Sequence, residues 1–186
     1  MQQTIGARTN ALRREFVIAA EATGRASAEQ VYDVLSDLRS HLTWAGERQP
    51  ETGRLLSIEA PDGPAAVGTE FATTGSDPMG RFTDRSVVTE ANRPSEFEFV
   101  TESHLETKKG RVVEWTNVHH YELLPAPEGC RVAYTLRIAR ASALPGMLRL
   151  FNAPLLSGLV KKASAGVARR GVENLLALAE ERARVR

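Results

Sequence analysis

Residues 111–124 read RVVEWTNVHHYELL, and the spacing of their side chains decides the fold. Val113, Trp115, Asn117, His119, Tyr121 and Leu123 take every second position, while Val112, Glu114, Thr116, Val118, His120 and Glu122 take the others. Period two marks a strand, because successive side chains leave opposite faces. The first set carries the aromatic residues and the second the carboxylates. The first set is therefore expected to face a covered side and the second to face water. Pro125-Ala126-Pro127-Glu128-Gly129 breaks the run. The pattern then resumes over 130–140, where Val132, Tyr134, Leu136 and Ile138 oppose Arg131, Thr135 and Arg137.

The same period extends toward the N-terminus, near 54–60, 67–75, 82–91 and 95–104. The breaks are Pro61-Asp62-Gly63-Pro64, Asp77-Pro78-Met79-Gly80, Asn92-Arg93-Pro94 and Lys108-Lys109-Gly110. Each is rich in residues whose backbones favour turns. Links this short join neighbouring strands antiparallel, as a meander. Phe97 and Phe99, set against Glu96, Glu98 and Glu102, fix the inward face of their strand, since a one-residue slip would reverse every side chain. Another strand opens the chain at 14–22, where Phe16, Ile18 and Ala20 alternate with Val17 and Ala19.

Two helical patterns flank the meander. Ser27-Ala28-Glu29-Gln30 has the form of a capping box, and Val31, Val34, Leu35 and Leu38 follow as one apolar stripe. A second short helical turn is expected at about Ser40 to Trp44. Near the C-terminus Ser164, Ala168, Gly171, Val172, Leu175, Leu178 and Ala179 share one helix side; Arg169, Arg170, Glu173, Glu180 and Arg184 share the other. Gly166 and Gly171 each cost about 1 kcal/mol relative to alanine inside a helix. Small residues on the inward stripe thus imply either close packing on the sheet or space left unfilled. Leu148, Phe151, Leu155 and Leu159 form an earlier stripe interrupted by Pro154, so Asn152-Ala153-Pro154 reads as a kink or a fresh helix start.

These readings give an α+β fold in a single domain over residues 1–186, with its core at 14–182 and residues 1–13 as a flexible N-terminal segment. A curved antiparallel sheet of six to seven strands wraps around a long C-terminal helix, with two short helices after the first strand. The net charge of +1 gives no electrostatic reason to expect nucleic acid. Cys130 is the only cysteine, which rules out an intrachain disulfide, and it reads as a buried, inert thiol. The first fifteen residues hold no apolar run of signal-peptide length, so a cytoplasmic location is the expectation. The most apolar window, Met147 to Val160, contains Arg149 and Asn152 and is too short to span a bilayer. It suits a pocket lid, a homodimer contact or a membrane surface alike. The four histidines have no metal-ligand spacing, and no phosphate loop or nucleophile elbow is found, so neither metal nor cofactor is expected.

Certain stretches resemble a known superfamily. Ala26-Ser27-Ala28-Glu29-Gln30-Val31-Tyr32-Asp33-Val34-Leu35-Ser36-Asp37 is similar to the opening helix of the START-like (SRPBCC) proteins, whose helix-grip fold is shared with the birch-pollen allergen. Trp44, Val67-Gly68-Thr69-Glu70-Phe71, Trp115, Tyr121-Glu122-Leu123-Leu124-Pro125 and Gly129-Cys130-Arg131-Val132 continue the match, with Cys130 where threonine is commoner. Within that superfamily the chain looks most like the polyketide cyclase/dehydrase and lipid-transport group, over roughly residues 14–182. The resemblance implies an internal pocket between sheet and C-terminal helix for a hydrophobic or aromatic small molecule, lipid- or polyketide-like. The superfamily also contains cyclases, aromatases and cochaperones, and it has no obligatory catalytic motif. An enzyme using a pocket histidine as general acid or base, and a protein-interaction module, therefore stay open beside it.

The inward set of residues 113–123 supplies the candidates for chemistry. His119, with Asn117 or Tyr121, either moves a proton or hydrogen-bonds its neighbours and sets the polarity of the pocket. Trp44, Phe71, Phe82, Phe97 and Phe99 are expected to contact ligand. Trp115 and Tyr134 join them, and Met147 and Phe151 are placed at the pocket mouth. Asp84 shares a parity with Phe82, Ser86 and Val88, so either it lies near the sheet edge with Arg85 or it meets a pocket donor, and an edge or surface ion pair is the favoured account. His120 is expected to face solvent; His41 and His104 lack an arguable partner.

Overall fold

The computed structural model describes residues 15–49, 54–76, 79–141 and 154–185. β1 (Phe16–Gly24) leads into α1 (Ala28–Ser36), a 3₁₀ turn (Leu38–Ser40) and a π-helical turn (Leu42–Glu47). The meander follows as β2 (Arg54–Glu59), β3 (Glu70–Ser76), β4 (Gly80–Asn92), β5 (Glu96–Thr107), β6 (Val112–Ala126) and β7 (Gly129–Ala141). A single helix, α2 (Pro154–Val185), ends the chain. The strands form one sheet in the order β1-β7-β6-β5-β4-β3-β2, each neighbouring pair antiparallel. This is the helix-grip arrangement that the alternation demanded.

Local signals explain the element ends. Ser27 completes its capping box: Gln30 donates its backbone N–H to the Ser27 hydroxyl at 3.3 Å, and Ser27 donates its own to Gln30 Oε1 at 2.9 Å. α2 is described from Pro154, a residue tolerated in the first turn of a helix, and the residues before it lie outside the described ones. Two details depart from expectation. β6 runs through Pro125 to pair Ala126 with Gly129, which shortens the break to Pro127 and Glu128. The second helical piece covers residues 38–47 in tighter and wider turns than an α-helix. Residues 1–13, Met147 and Phe151 lie outside the described residues.

The core sits at one end of the grip. Val31, Val34 and Leu35 of α1 meet Val172, Leu175, Leu176 and Ala179 of α2 over Phe97, Leu123 and Val132 of the sheet. Phe16, Ile18 and Ile138 form a smaller cluster, with Trp115 packed against it. Between these clusters α2 turns Ser164, Val167, Ala168, Gly171 and Val172 toward the sheet. Space remains there. Among the described residues no helix is long and apolar enough to cross a membrane.

Gly129 holds a φ of +146°, and a Cβ there would strike the Gly24 carbonyl where β1 meets the β6–β7 turn. Urea unfolding should therefore separate two substitutions. Ser27→Ala, which loses only a cap, is expected to cost about 1 kcal/mol. Gly129→Ala, which combines backbone strain with a clash, is expected to cost about 3 kcal/mol or more.

Candidate functional site

A cavity of ≈ 300 Å³ lies between the concave face of the sheet, the π-helical turn and the middle turns of α2. Phe99 is its central wall. Its ring stacks on His119 with centroids 4.5 Å apart and planes at 11°, and meets Phe71 edge-on at 5.3 Å. Tyr121 and Tyr134 continue the aromatic wall across β6 and β7, their centroids 4.7 Å apart. Trp44, delivered by the π-helical turn, closes on Tyr121 edge-on at 6.4 Å. Offset and edge-on pairs of this kind hold rings in place beyond simple area burial.

The polar groups of the cavity are arranged in a definite order. Burial, reinforced by the neighbouring Tyr134 hydroxyl, raises the Tyr121 hydroxyl well above its ordinary pKa, so Tyr121 keeps its proton. The Tyr134 hydroxyl, itself raised by burial, lies 2.9 Å from His119 Nδ1, and which of the two donates follows the tautomer of the ring. Desolvation pushes His119 down to about 3, with a smaller contribution from His41, so the ring is neutral at pH 7. His119 is thus a neutral ring and a poor base.

His41 and Asp84 depart from their expected surroundings. His41 is buried, donates Nε2–H to the Leu35 carbonyl at 2.8 Å, and packs 4.8 Å from the Trp44 ring. Desolvation lowers it to about 4. Asp84 makes no surface ion pair with Arg85. β4 is the third strand from the β2 edge and lies on neither border of the sheet, and Asp84 turns inward onto the cavity wall while Arg85 is exposed. Ser103 and Thr73 hydrogen-bond its carboxylate, but desolvation dominates and raises it to about 6. One oxygen, Oδ1, has no partner, and neither has the buried Trp44 Nε1–H.

Of the residues expected at the site, the fold brings Trp44, Phe71, Phe82, Phe99, His119, Tyr121 and Tyr134 to the cavity. Phe97 is fully buried beneath α1, edge-on to Tyr32 at 5.9 Å, and does not line it. Trp115 belongs to the Phe16 cluster. Asn117 shares the inward face but donates to Ser103 Oγ at 3.1 Å, one step from the cavity wall. His104 pairs loosely with Glu114 on the convex face, at 3.5 Å. His120 also faces outward, yet Glu96, Glu98 and Glu122 surround it and leave its side chain only 25% exposed. His41 and Thr73 were missed, and for Asp84 the less favoured alternative, an inward carboxylate meeting donors at the pocket, is the one realised. No group of three His, Cys, Asp or Glu among the described residues is arranged to hold a metal ion.

A sheet gripping one long helix around an aromatic cavity defines the helix-grip class of the START-like superfamily. Within it, the chain belongs to the polyketide cyclase/dehydrase and lipid transport family, whose sequence profile matches residues 15–180. Solved structures agree on the fold. A protein of Rhizobium leguminosarum, 12% identical, superposes with a TM-score of 0.60 over 92% of this chain and 97% of its own. A Rhodobacter sphaeroides protein, 15% identical, gives 0.58 over 89% and 93%. Ara h 8.0201, 14% identical, gives 0.53 over 88% and 99%. No curated protein matches the chain in sequence.

Two measurements check the electrostatics of the cavity. In long-range ¹H–¹⁵N spectra, His119 should show a neutral ring, unchanged from pH 5 to pH 8. Stability should also depend on pH with a definite sign. His41 and His119 hold folded-state values below the unfolded 6.5, so the unfolded chain takes up protons first as pH falls. Their stabilising contribution is present above about pH 6.5 and is lost toward pH 4. Asp84, raised from 3.8 to about 6, acts oppositely and recovers part of the loss. Two histidines outweigh one carboxylate, so the unfolding free energy should drop by about 3 kcal/mol between pH 7 and pH 4. His119→Gln should show a shallower drop.

Proposed function

We propose that the cavity binds one hydrophobic or aromatic small molecule, lipid- or polyketide-like in character, held between the sheet and α2. The family supports a ligand pocket in general terms. The observation that carries the reading is the pairing of an aromatic wall with unmet polar groups. Trp44 Nε1–H and Asp84 Oδ1 belong to residues that line the cavity, and both lack a protein partner. Buried polar atoms without partners are rare in folded proteins and ask for an explanation, and a ligand supplies one. A few fixed polar groups among apolar walls orient a small molecule without providing a reaction.

His119 fits this reading as a polar contact for the ligand. Its Nδ1 is already engaged by Tyr134 and its basicity is suppressed, which disfavours the general-base role that the sequence left open. The other nitrogen of the neutral ring is left for a polar atom of the ligand.

Gly171 offers a clean way to close the cavity. A Cβ built there meets only the side-chain amide end of Gln49, at 2.8 Å, which is free to swing away. Gly171→Met should fold, aided by a gain in helix propensity of roughly 1 kcal/mol, and should project its side chain into the cavity. The neutral fluorophore N-phenyl-1-naphthylamine should bind the wild-type protein one to one and lose at least roughly tenfold in affinity to Gly171→Met. Equal binding to both proteins would move the site elsewhere.

A further inference from the structure

The concave face carries a polar patch amid the aromatic wall. Register pairs Asp84 with Thr73 on β3 and with Ser103 on β5, and pairs Ser86 with Phe71 and Thr101 in the next row. The patch is wired together. Asn117 Nδ2 donates to Ser103 Oγ at 3.1 Å, Ser103 and Thr73 hydrogen-bond the Asp84 carboxylate, and Ser86 bonds Thr101 at 2.8 Å. Two acceptor oxygens in it, Asp84 Oδ1 and Asn117 Oδ1, have no partner. No lysine or arginine is among the described residues lining the cavity, so the carboxylate has no counter-charge there.

We propose that Asp84 is the anchor for a cationic amine on the ligand, so that the cavity selects an aromatic or hydrophobic ammonium compound over a neutral or acidic one. This rests on the cavity being a ligand site. A buried carboxylate with neutral donors on one oxygen only is completed by a donor that also carries positive charge. Phe71 and Phe82 line the cavity with Asp84, and aromatic rings beside a carboxylate suit an ammonium and its carbon neighbours. The opposite end of the cavity supplies the complement, since Tyr134 engages His119 Nδ1 and leaves the other ring nitrogen for a polar atom of the ligand. Strand geometry separates the two ends by about 13 Å along β5 and about 10 Å across it at the backbone. A compound with an amine at one end and a polar group on a ring at the other fits both.

The raised value of Asp84, about 6, makes the selectivity depend on pH. The strands on either side present Thr73, Ser103 and Thr101 to it, and the lining part of α2 presents Ser164, Val167, Ala168, Gly171 and Val172, none of which titrates. The other titratable lining groups are His41 and His119, lowered to about 4 and 3, and Tyr121 and Tyr134, both raised, so all stay neutral between pH 5 and pH 8.

Isothermal titration with 1-naphthylmethylamine, 1-naphthalenemethanol and 1-naphthoic acid provides the test. At pH 7.5 the wild-type protein should bind the amine roughly tenfold or more tighter than the alcohol, and the acid weakest. At pH 5 the amine should lose that advantage while the alcohol keeps its affinity. Asp84→Asn should bind amine and alcohol alike at both pH values. The pH series on wild-type protein stands even where that variant does not fold. Equal binding of amine and alcohol at pH 7.5, or a preference that survives Asp84→Asn, overturns the ammonium anchor and leaves the cavity as a binding site. Failure of all three probes to bind overturns both.

Discussion

One helix has to close a seven-stranded sheet, and the rest of the structure follows from that mismatch. Six strand spacings make a sheet about 29 Å across, while a helix with its side chains is about 10 Å wide. Curvature narrows the gap, and α1 and the π-helical turn cover part of the concave face. What they leave is a cavity of ≈ 300 Å³. At about 24 cal/mol per Å³, leaving that volume unfilled forgoes up to about 7 kcal/mol, as large as the net stability of many domains. The cost is limited by keeping the two functions of α2 apart. Its later turns seal the core with Val172, Leu175, Leu176 and Ala179, while its middle turns offer Ser164, Ala168 and Gly171 over the cavity.

The wall of that cavity is polar in only a few places, and each place has a settled role. The line from Tyr121 through Tyr134 to His119 ties three polar groups together. Burial leaves His119 neutral. His41 is held with its proton on Nε2 by the Leu35 carbonyl. Asp84 is the exception, a carboxylate with one oxygen satisfied and one not. The cavity is therefore acidic in character at one end and neutral at the other.

Much of this was legible in the chain. The alternation over 111–140 dictated the sheet, the capping box placed α1, and the glycines of the last helix announced either close packing or open space. Open space was the answer. What stayed hidden depends on where the helices land on the sheet. Phe97 and Phe99 share a face and a strand, yet Tyr32 of α1 covers the first and leaves the second on the cavity wall. No periodicity separates them. His41 lies just before a π-helical turn, whose wider spacing breaks the helical pattern that would have shown it facing inward. Asp84 had the right parity, but surface pairing is the usual fate of an aspartate, and its neighbours Thr73 and Ser103 become visible only once strands pair.

Filling the cavity from α2 tests the central claim most directly. Ala168 lines the space and faces no described clash, so Ala168→Leu adds three carbons to a volume with room for them. If the cavity is held open for a ligand against the interests of packing, urea unfolding should find Ala168→Leu more stable than wild type by about 1–2 kcal/mol. A loss of stability of the same size would mean that the space is already filled and that the helix fits the sheet after all.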